Sequence, residues 1–288
     1  MFQNLSPGAL GIRCDWVAGL DLARQAGYAG ADLQIGEAYR IAEERGVDAV
    51  RALFTERGLR MGGWGLPVNW RGPSAQFYEQ LGRLPALAAL AAELGCHRVT
   101  TGCPPGSDEF DRHRFVAMAI PRLRLIGEIL AEHGHRLGIE FIGPRTSRNR
   151  RQYGWIYSMD GMLTLAAAVG TGNIGLLFDV WHWYTCRSTL DDVRHLTADD
   201  VVYVHINDAP AGIDPLDQID LVRCLPGETG VIPNVELLRI LRDLGYDGPV
   251  TIEPFSQSLK DLAERDPLAA ARQARASLDP IWRAAGLA

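Results

Sequence analysis

The feature of this sequence that most constrains its fold is a repeated unit, in which a helical stretch ends at glycine and a short apolar run follows. Glycine is favoured just past a helix C-terminus because it adopts positive φ without steric cost. Runs of this kind follow Gly27, Gly58, Gly95, Gly134, Gly172 and Gly245. The run VVYVHIND from residue 201 has no such glycine before it, and ALGIR near residue 10 completes a set of eight predicted strands.

The stretches between these runs carry apolar residues at intervals of three and four, which is the helical period. Continuous apolar strands that alternate with helices are typical of a parallel sheet covered by helices. Eight units favour an α/β fold closed into a (β/α)8 TIM barrel, and the first strand is not followed by G-x-G-x-x-G. We therefore predict one barrel domain over residues 1–288, with long connections at 143–158 and 207–232.

Composition excludes several classes of function. Lys260 is the single lysine among 29 basic residues, which removes most Schiff-base chemistry and a P-loop lysine. The net charge of -6 and the scattered arginines predict no nucleic-acid partner. Because the sequence shows neither an apolar run of membrane-spanning length nor a signal pattern, we expect a cytoplasmic protein without a membrane partner. The five scattered cysteines are expected to stay reduced.

Four consecutive apolar runs end in a side chain that can bind a metal. These side chains are Glu140, Asp179, His205 and Glu253, at the ends of predicted strands 5 to 8. In a parallel barrel the carboxyl ends of the strands meet at one mouth, and burying four such groups there is costly unless something compensates. The set suits one divalent cation, with Mn²⁺ preferred here over Co²⁺, Mg²⁺ or Zn²⁺.

Motifs around these residues carry a family resemblance. They are EFIG at 140–143, LLFDVWH at 176–182, VHIND at 204–208, LPGETGVI at 225–232 and IEPF at 252–255. Together they resemble the xylose-isomerase-like TIM barrel superfamily. Within it, they are most similar to the sugar phosphate isomerase/epimerase group, which includes 2-keto-myo-inositol isomerase and D-tagatose 3-epimerase-type enzymes.

The resemblance implies roles for individual residues. It makes Glu140, Asp179, His205 and Glu253 the metal ligands, and it implies that His182 and Arg223 bind substrate oxygens. The chain departs from the family pattern in one loop, where Thr229 lengthens the turn and Pro233 stands in an acidic place. A core histidine is the alternative interpretation of His182. Asn207 and Asp208 are interpreted as groups that orient His205, or as a helix cap at Asp208. Trp64, at the end of predicted strand 3, is a candidate wall for the substrate.

The resemblance also implies a reaction. A divalent ion bound to a ketone and a neighbouring hydroxyl stabilises an enediolate, and two carboxylates can exchange the proton. Glu140 and Glu253 would form that acid/base pair. We therefore expect a metal-dependent isomerase or epimerase of a small keto-sugar, keto-inositol or other polyol, and homo-oligomer formation is left open.

Three functions are alternatives to an isomerase or epimerase. The same site could serve a lyase or dehydratase that acts on an inosose, a dehydroshikimate or a 3-keto-glycoside, and an aromatic mouth of Trp64, Trp70, Trp155, Trp181 and Trp183 would favour this. A non-catalytic sugar-binding barrel is a second alternative. A DNA-repair endonuclease of the same superfamily is disfavoured, because the ends of predicted strands 2 to 4 carry no histidine.

Overall fold

A computed structural model describes residues 1–287 of the chain. Its strands are β1 (Phe2–Leu5), β2 (Gly30–Ala31), β3 (Arg60–Met61), β4 (Trp64–Gly65), β5 (Arg98–Cys103), β6 (Gly106–Ser107), β7 (Arg136–Phe141), β8 (Tyr153–Gly154), β9 (Ile174–Asp179), β10 (Val201–Ile206) and β11 (Pro249–Ile252). The α-helices are α1 (Trp16–Ala26), α2 (Ile35–Arg45), α3 (Val47–Thr55), α4 (Ser74–Glu93), α5 (Arg112–Glu132), α6 (Arg145–Arg148), α7 (Met159–Val169), α8 (Val180–Thr185), α9 (Leu190–Arg194), α10 (Asn234–Asp243), α11 (Gln257–Arg265) and α12 (Pro267–Ala284). Short 3-10 helices span Pro7–Leu10, Ala198–Asp200 and Pro215–Asp217.

Nine of these strands form a parallel sheet that closes on itself. The order across the sheet is β3-β2-β1-β11-β10-β9-β7-β5-β4. The two outermost strands, β3 and β4, belong to one extended segment that is interrupted only by Gly62 and Gly63. This segment therefore pairs with β2 through its first half and with β5 through its second half. The predicted (β/α)8 barrel is confirmed.

Capping residues set the ends of the barrel helices, as α1 shows. In α1, the Asp15 carboxylate caps the first turn by accepting the N–H of Ala18 at 2.8 Å. The helix ends at Gly27, whose φ of 83° is in the left-handed region. Between these residues Leu20 and Ala23 are buried in the hydrophobic core outside the strands. Glycines with positive φ also follow α3, α4, α5, α7 and α10, where the chain turns back toward the next strand; they are Gly58, Gly95, Gly134, Gly170 and Gly245.

The first strand is not the one predicted. The ALGIR segment falls in and after the 3-10 helix Pro7–Leu10, and β1 is Phe2–Leu5 instead. Pro7 has no N–H to donate to a sheet, and Gly11 at φ 79° ends the short helix. The FQNL strand pairs with β11 on one side and with β2 on the other.

The two long connections are ordered and touch each other. Residues 143–158 contain α6 and β8, which pairs antiparallel with β6. Residues 207–232 contain the third 3-10 helix and a backbone bridge between Asp208 and Cys224. Thr146 Oγ1 donates to the carbonyl of Gln218 at 2.6 Å, so that the two connections meet beside the mouth of the barrel. Among the helices of residues 1–287, none is long and apolar enough to cross a membrane.

Candidate metal centre

The four predicted ligands converge at the mouth of the barrel. Glu140 lies near the end of β7, Asp179 ends β9, His205 lies near the end of β10, and Glu253 follows β11. One ligand atom from each side chain lies within 4.8 Å of the corresponding atoms of the other three. The structure thus brings together four residues that lie as much as 113 positions apart in the sequence.

Strand register explains why these side chains face one another. Asp179 on β9 stands directly opposite His205 on β10, and Tyr203 stands opposite Leu177. The register shifts between Val201 and Tyr203, so that β10 carries one residue more than β9 over this interval. A bulge of this kind re-aims the side chains that follow it. It places Tyr203 and then His205 on the inner face of the barrel.

The donor set fits a divalent cation. Among residues 1–287, the buried atoms without a hydrogen-bond partner include Glu140 Oε1 and His205 Nδ1. These two atoms lie 3.4 Å apart, and His205 Nδ1 is 3.5 Å from Glu253 Oε2. Leaving such atoms unpaired is costly, whereas a cation shared by three carboxylates and one imidazole would satisfy them together.

The electrostatics of the cluster favour a positive charge at its centre. Burial lowers the pKa of His205, but Glu253 and Glu140 outweigh burial and raise that pKa well above its ordinary value. The same carboxylates that hold a proton on His205 would hold a metal cation, and metal binding would release that proton.

Arg223 reaches this cluster from the 207–232 connection. Its Nη1 donates to Asp179 Oδ2 at 2.7 Å and to Glu253 Oε2 at 3.0 Å, and its side chain is 2% exposed. Burial raises the pKa of Asp179, but the charge of Arg223, followed by His182 and His205, lowers it to about 2. Arg223 therefore keeps the Asp179 carboxylate ionised inside the barrel.

His182 also points into the cluster. It is 1% exposed, and its Nδ1 accepts the N–H of Gly143 at 3.2 Å. A neutral ring that accepts at Nδ1 carries its proton on Nε2. That Nε2 lies 3.7 Å from Asp179 Oδ2 and 4.0 Å from Glu140 Oε1. His182 therefore presents an N–H donor to the site.

Asn207 and Asp208 have different partners from those predicted. Asn207 Nδ2 donates to Asp179 Oδ1 at 3.0 Å, so it orients Asp179 rather than His205. The carboxylate of Asp208 accepts backbone N–H groups of the connection that follows it, including those of Gly230 at 2.7 Å and Ile232 at 2.9 Å. Asp208 thus holds the connection that carries Arg223, instead of capping a helix.

Asp220 is a site residue that the sequence analysis missed. Its Oδ1 accepts Arg223 Nη2 at 2.8 Å and lies 4.0 Å from His182 Nε2. The side chain is 24% exposed, so it remains open to the mouth. Asp220 lies in a part of the 207–232 connection that carries none of the family motifs, and its spacing of three residues from Arg223 is the one signal that could have found it.

Trp64 does not line the mouth. It is 1% exposed, its Nε1 donates to the carbonyl of Cys96 at 3.1 Å, and its ring packs edge-on against His135. Trp64 stands opposite Val99, and both side chains belong to the core around the barrel. The expected substrate wall at Trp64 is therefore wrong. The other four tryptophans of the expected aromatic mouth, Trp70, Trp155, Trp181 and Trp183, are also at most 4% exposed. Of these, Trp181 lies beside the site, because the guanidinium of Arg223 is 5.3 Å from the centroid of its ring.

Comparison with known proteins identifies relatives of this chain. An inosose isomerase from Halalkalibacterium halodurans is 28% identical over 151 residues, which are 51% of this chain and 49% of the relative. The chain thus spans about half the length of the curated relatives that it matches.

Solved structures match over nearly the whole chain. A xylose isomerase domain protein from Alicyclobacillus acidocaldarius is 36% identical with a TM-score of 0.88, over 99% of both chains. The zinc-bound IolI protein is 14% identical with a TM-score of 0.76, over 98% of this chain and 99% of that one, a likeness that shows the fold alone. The family description "Xylose isomerase-like TIM barrel" matches residues 20–281. These matches confirm the resemblance seen in the motifs, and the chain belongs to the xylose isomerase-like TIM barrel family.

Proposed function

We propose that this protein is a divalent-metal-dependent isomerase or epimerase of a small keto-sugar or keto-inositol. The observation that carries the proposal is the convergence of three carboxylates and one imidazole within 4.8 Å at the mouth of the barrel. Inosose isomerase, the name of a curated relative, supports a cyclic keto-polyol as the substrate. The IolI structure, which shares this fold, contains a bound zinc atom, and this supports a divalent cation as the cofactor.

Glu140, Asp179, His205 and Glu253 would hold the cation. Their oxygen-rich set with a single imidazole suits Mn²⁺, which we propose as the working metal. A divalent cation bound there would polarise a ketone and its neighbouring hydroxyl, and so acidify the C–H bond between them.

Glu253 and Glu140 would exchange the proton. Glu253 directly follows β11 and Glu140 lies on β7, and these strands are separated in the sheet by β10 and β9, so the two carboxylates reach the site from different sides. Burial raises the pKa of Glu253, but His205 and Arg223 outweigh it and hold that pKa below its ordinary value. Glu253 is therefore ionised and able to accept a proton, which Glu140 would return at the same or the adjacent carbon. The roles reverse in the opposite direction of reaction.

His182 and Arg223 would orient the substrate. The Nε2–H of His182 faces the oxygens of Glu140 and Asp179, so it can donate to a substrate hydroxyl placed between them. The guanidinium of Arg223 joins Asp179 to Glu253 and fixes the distance between a metal ligand and the proton acceptor.

Solvent deuterium exchange tests the proposal. With Mn²⁺ and a panel of inososes and ketohexoses, we expect deuterium from the solvent to enter at a carbon next to the carbonyl. Glu253→Gln and Glu140→Gln should each slow this exchange by about 10²–10⁴-fold, which is the usual contribution of a general acid or base. Glu236→Gln on the exposed face of α10 serves as the control and should leave the rate unchanged.

Two outcomes would contradict the proposal. If a compound bound to the protein and showed no exchange at any carbon next to its carbonyl, proton transfer would be excluded for that compound. If no bound compound of the panel showed exchange, the protein would instead be interpreted as a non-catalytic sugar-binding barrel. Loss of a hydroxyl or an aglycone, in place of simple exchange, would identify a lyase that uses the same site.

A further inference from the structure

A second polar cluster lies inside the barrel, and the proposed mechanism does not use it. It consists of Asn4 on β1, Asp32 after β2, Tyr203 on β10 and Thr251 on β11, and we call it the floor cluster. Asn4, Tyr203 and Thr251 are each at most 3% exposed. Because β2 and β10 are not neighbours in the sheet, contacts between Asp32 and Tyr203 must pass through the interior of the barrel.

Hydrogen bonds join all four members. Tyr203 Oη donates to Asp32 Oδ1 at 2.7 Å and lies 2.7 Å from Thr251 Oγ1. Asn4 Nδ2 donates to Asp32 Oδ1 at 2.9 Å and lies 3.0 Å from Thr251 Oγ1. The same Asp32 oxygen accepts the backbone N–H of Gly63 at 3.2 Å. The floor cluster thus ties together four barrel strands and the break in a fifth.

The floor cluster lies directly beneath the candidate metal centre. Tyr203 and Thr251 precede His205 and Glu253 by two residues on the same strands. Side chains two residues apart on a strand point to the same face. The ring of Tyr203 meets the ring of His205 edge to face, with centroids 5.5 Å apart and an angle of 90° between the planes.

Close contacts surround the ring of His205. Within residues 1–287, His205 Nδ1 has no hydrogen-bond partner, although the carboxylates of Glu140 and Glu253 lie within 3.5 Å of it. Histidines that bind metals normally donate their other ring N–H to a carboxylate, a carbonyl or water, which fixes the orientation of the ring. In this chain the ring of Tyr203 contacts the ring of His205 directly and can limit its rotation.

We propose that Asp32, by holding the Tyr203 hydroxyl, positions the His205 ring for metal binding. Asp32 and Tyr203 are positioning residues in this scheme, since neither would touch the metal. The inference rests on the proposed function, because it assumes that His205 is a metal ligand. Room for the Tyr203 ring is provided by Gly63, where an added Cβ would lie 3.0 Å from Cε2 of that ring.

The test compares Tyr203→Phe with Tyr28→Phe. Tyr28 is a matched control, because its buried hydroxyl donates to the carbonyl of Ala271 on α12, on the outside of the barrel. Metal affinity would be measured by titration with Co²⁺, together with the visible absorption spectrum of the bound ion and the Tm of the metal-free protein. A partner that orients a metal ligand contributes about 10–100-fold in affinity. We expect Tyr203→Phe to weaken Co²⁺ binding at least about 10-fold and to change the spectrum, and Tyr28→Phe to do neither.

A second variant, Asp32→Asn, keeps an oxygen that can accept from Tyr203. It should therefore bind Co²⁺ with an affinity between those of the wild type and Tyr203→Phe. If Tyr203→Phe bound Co²⁺ with the wild-type affinity and spectrum, whatever its Tm, the positioning role would be overturned while the proposed function stood. If the wild-type protein bound no Co²⁺, this result would contradict both the proposed function and this inference.

Discussion

At the residue scale, Asp208 shows how a carboxylate outside the metal set controls the site. Both of its oxygens are used by backbone N–H groups of the connection that follows, at Ala209, Thr229, Gly230 and Ile232. The backbone of Asp208 also pairs with Cys224 in both directions, at 2.9 and 2.8 Å. Cys224 is the neighbour of Arg223, so these bonds fix the point from which the guanidinium enters the barrel. The connection thereby follows a defined path to the candidate metal centre.

His135 presents a different residue-scale property, a buried titratable group far from the mouth. It lies just before β7 and is 1% exposed, and its Nε2 lies 2.8 Å from the carbonyl of Ala88. Burial lowers the pKa of His135 below its ordinary value, and the nearby rings of His97 and His133 add to this effect. The folded protein therefore favours the neutral ring more strongly than the unfolded chain does.

This shift predicts a pH-dependent stability. Protonation of His135 favours unfolding, so its contribution is complete above about pH 6.5 and is lost as the pH falls below that value. The free energy of unfolding, measured by urea titration between pH 7.5 and 5, should fall less steeply for His135→Gln than for the wild type. His195→Gln, at an exposed position, is the control and should keep the wild-type slope. Equal slopes for His135→Gln and the wild type would contradict the prediction.

The four side chains that meet at the mouth of the barrel could be predicted from single residues, whereas their surroundings could not. Glu140, Asp179, His205 and Glu253 stand at the ends of apolar runs, and parallel strands bring those ends together. Asp220 had no such signal, because a connection without a regular period has no predictable direction. The error at Trp64 has the same origin, since the break at Gly62–Gly63 decides whether that side chain faces the interior or the helices.

At the scale of elements, the divided strand β3/β4 is the least regular part of the barrel. Each half contributes only two residues to the sheet, and the two glycines between them pass close to the floor cluster. A Cβ added at Gly62 would lie 2.4 Å from Asn4 Oδ1 and 2.6 Å from Asp32 Oδ1. Both oxygens belong to hydrogen-bonded side chains, which leaves them little freedom to move away.

We therefore expect Gly62→Ala to destabilise the protein by about 1–3 kcal/mol, as overpacking of a filled interior usually does. Gly65→Ala is the matched control in the same element, because nothing lies within 4 Å of a Cβ built there. Urea denaturation of both variants measures the difference in the free energy of unfolding. A loss of stability at Gly65→Ala as large as that at Gly62→Ala would show that close packing against the floor cluster is not the cause.

The elements also show where sequence patterns succeed and where they fail. Helices that end at glycine followed by apolar runs were recognisable around most of the barrel, because the core packs against one face of each. β1 was not predicted because two of its four residues, Gln3 and Asn4, are polar. Asn4 belongs to the floor cluster, and Gln3 donates to Asp279 on α12 at 3.1 Å. These polar side chains find their hydrogen-bond partners only in the folded barrel. The sequence of β1 therefore does not show the apolar pattern of a buried strand.

At the scale of the whole molecule, the candidate metal centre links folding to metal binding. Its ligands come from β7, β9, β10 and β11, which are neighbours on one side of the closed sheet. In the unfolded chain these side chains are far apart, so a cation that needs all four binds the folded protein in preference. Without the cation, three carboxylates share one small volume with Arg223 as a counter-charge. His205, whose pKa Glu253 and Glu140 raise, is a second counter-charge, and only the folded chain offers all four ligands to a cation.

Metal binding should therefore stabilise the entire barrel. At a free Mn²⁺ concentration of 100 times Kd, linkage adds about 2.7 kcal/mol to the free energy of unfolding. For a chain of this size that corresponds to a rise in Tm of about 5 °C, which EDTA should reverse. Glu140→Gln should lose most of this rise, because one of the four ligands is gone. Glu236→Gln should keep both the wild-type Tm without metal and the wild-type rise in Tm with Mn²⁺. Thermal unfolding followed by circular dichroism measures them, and a wild-type Tm that is unchanged by Mn²⁺, Co²⁺ and Zn²⁺ would show that the four ligands do not form a metal site.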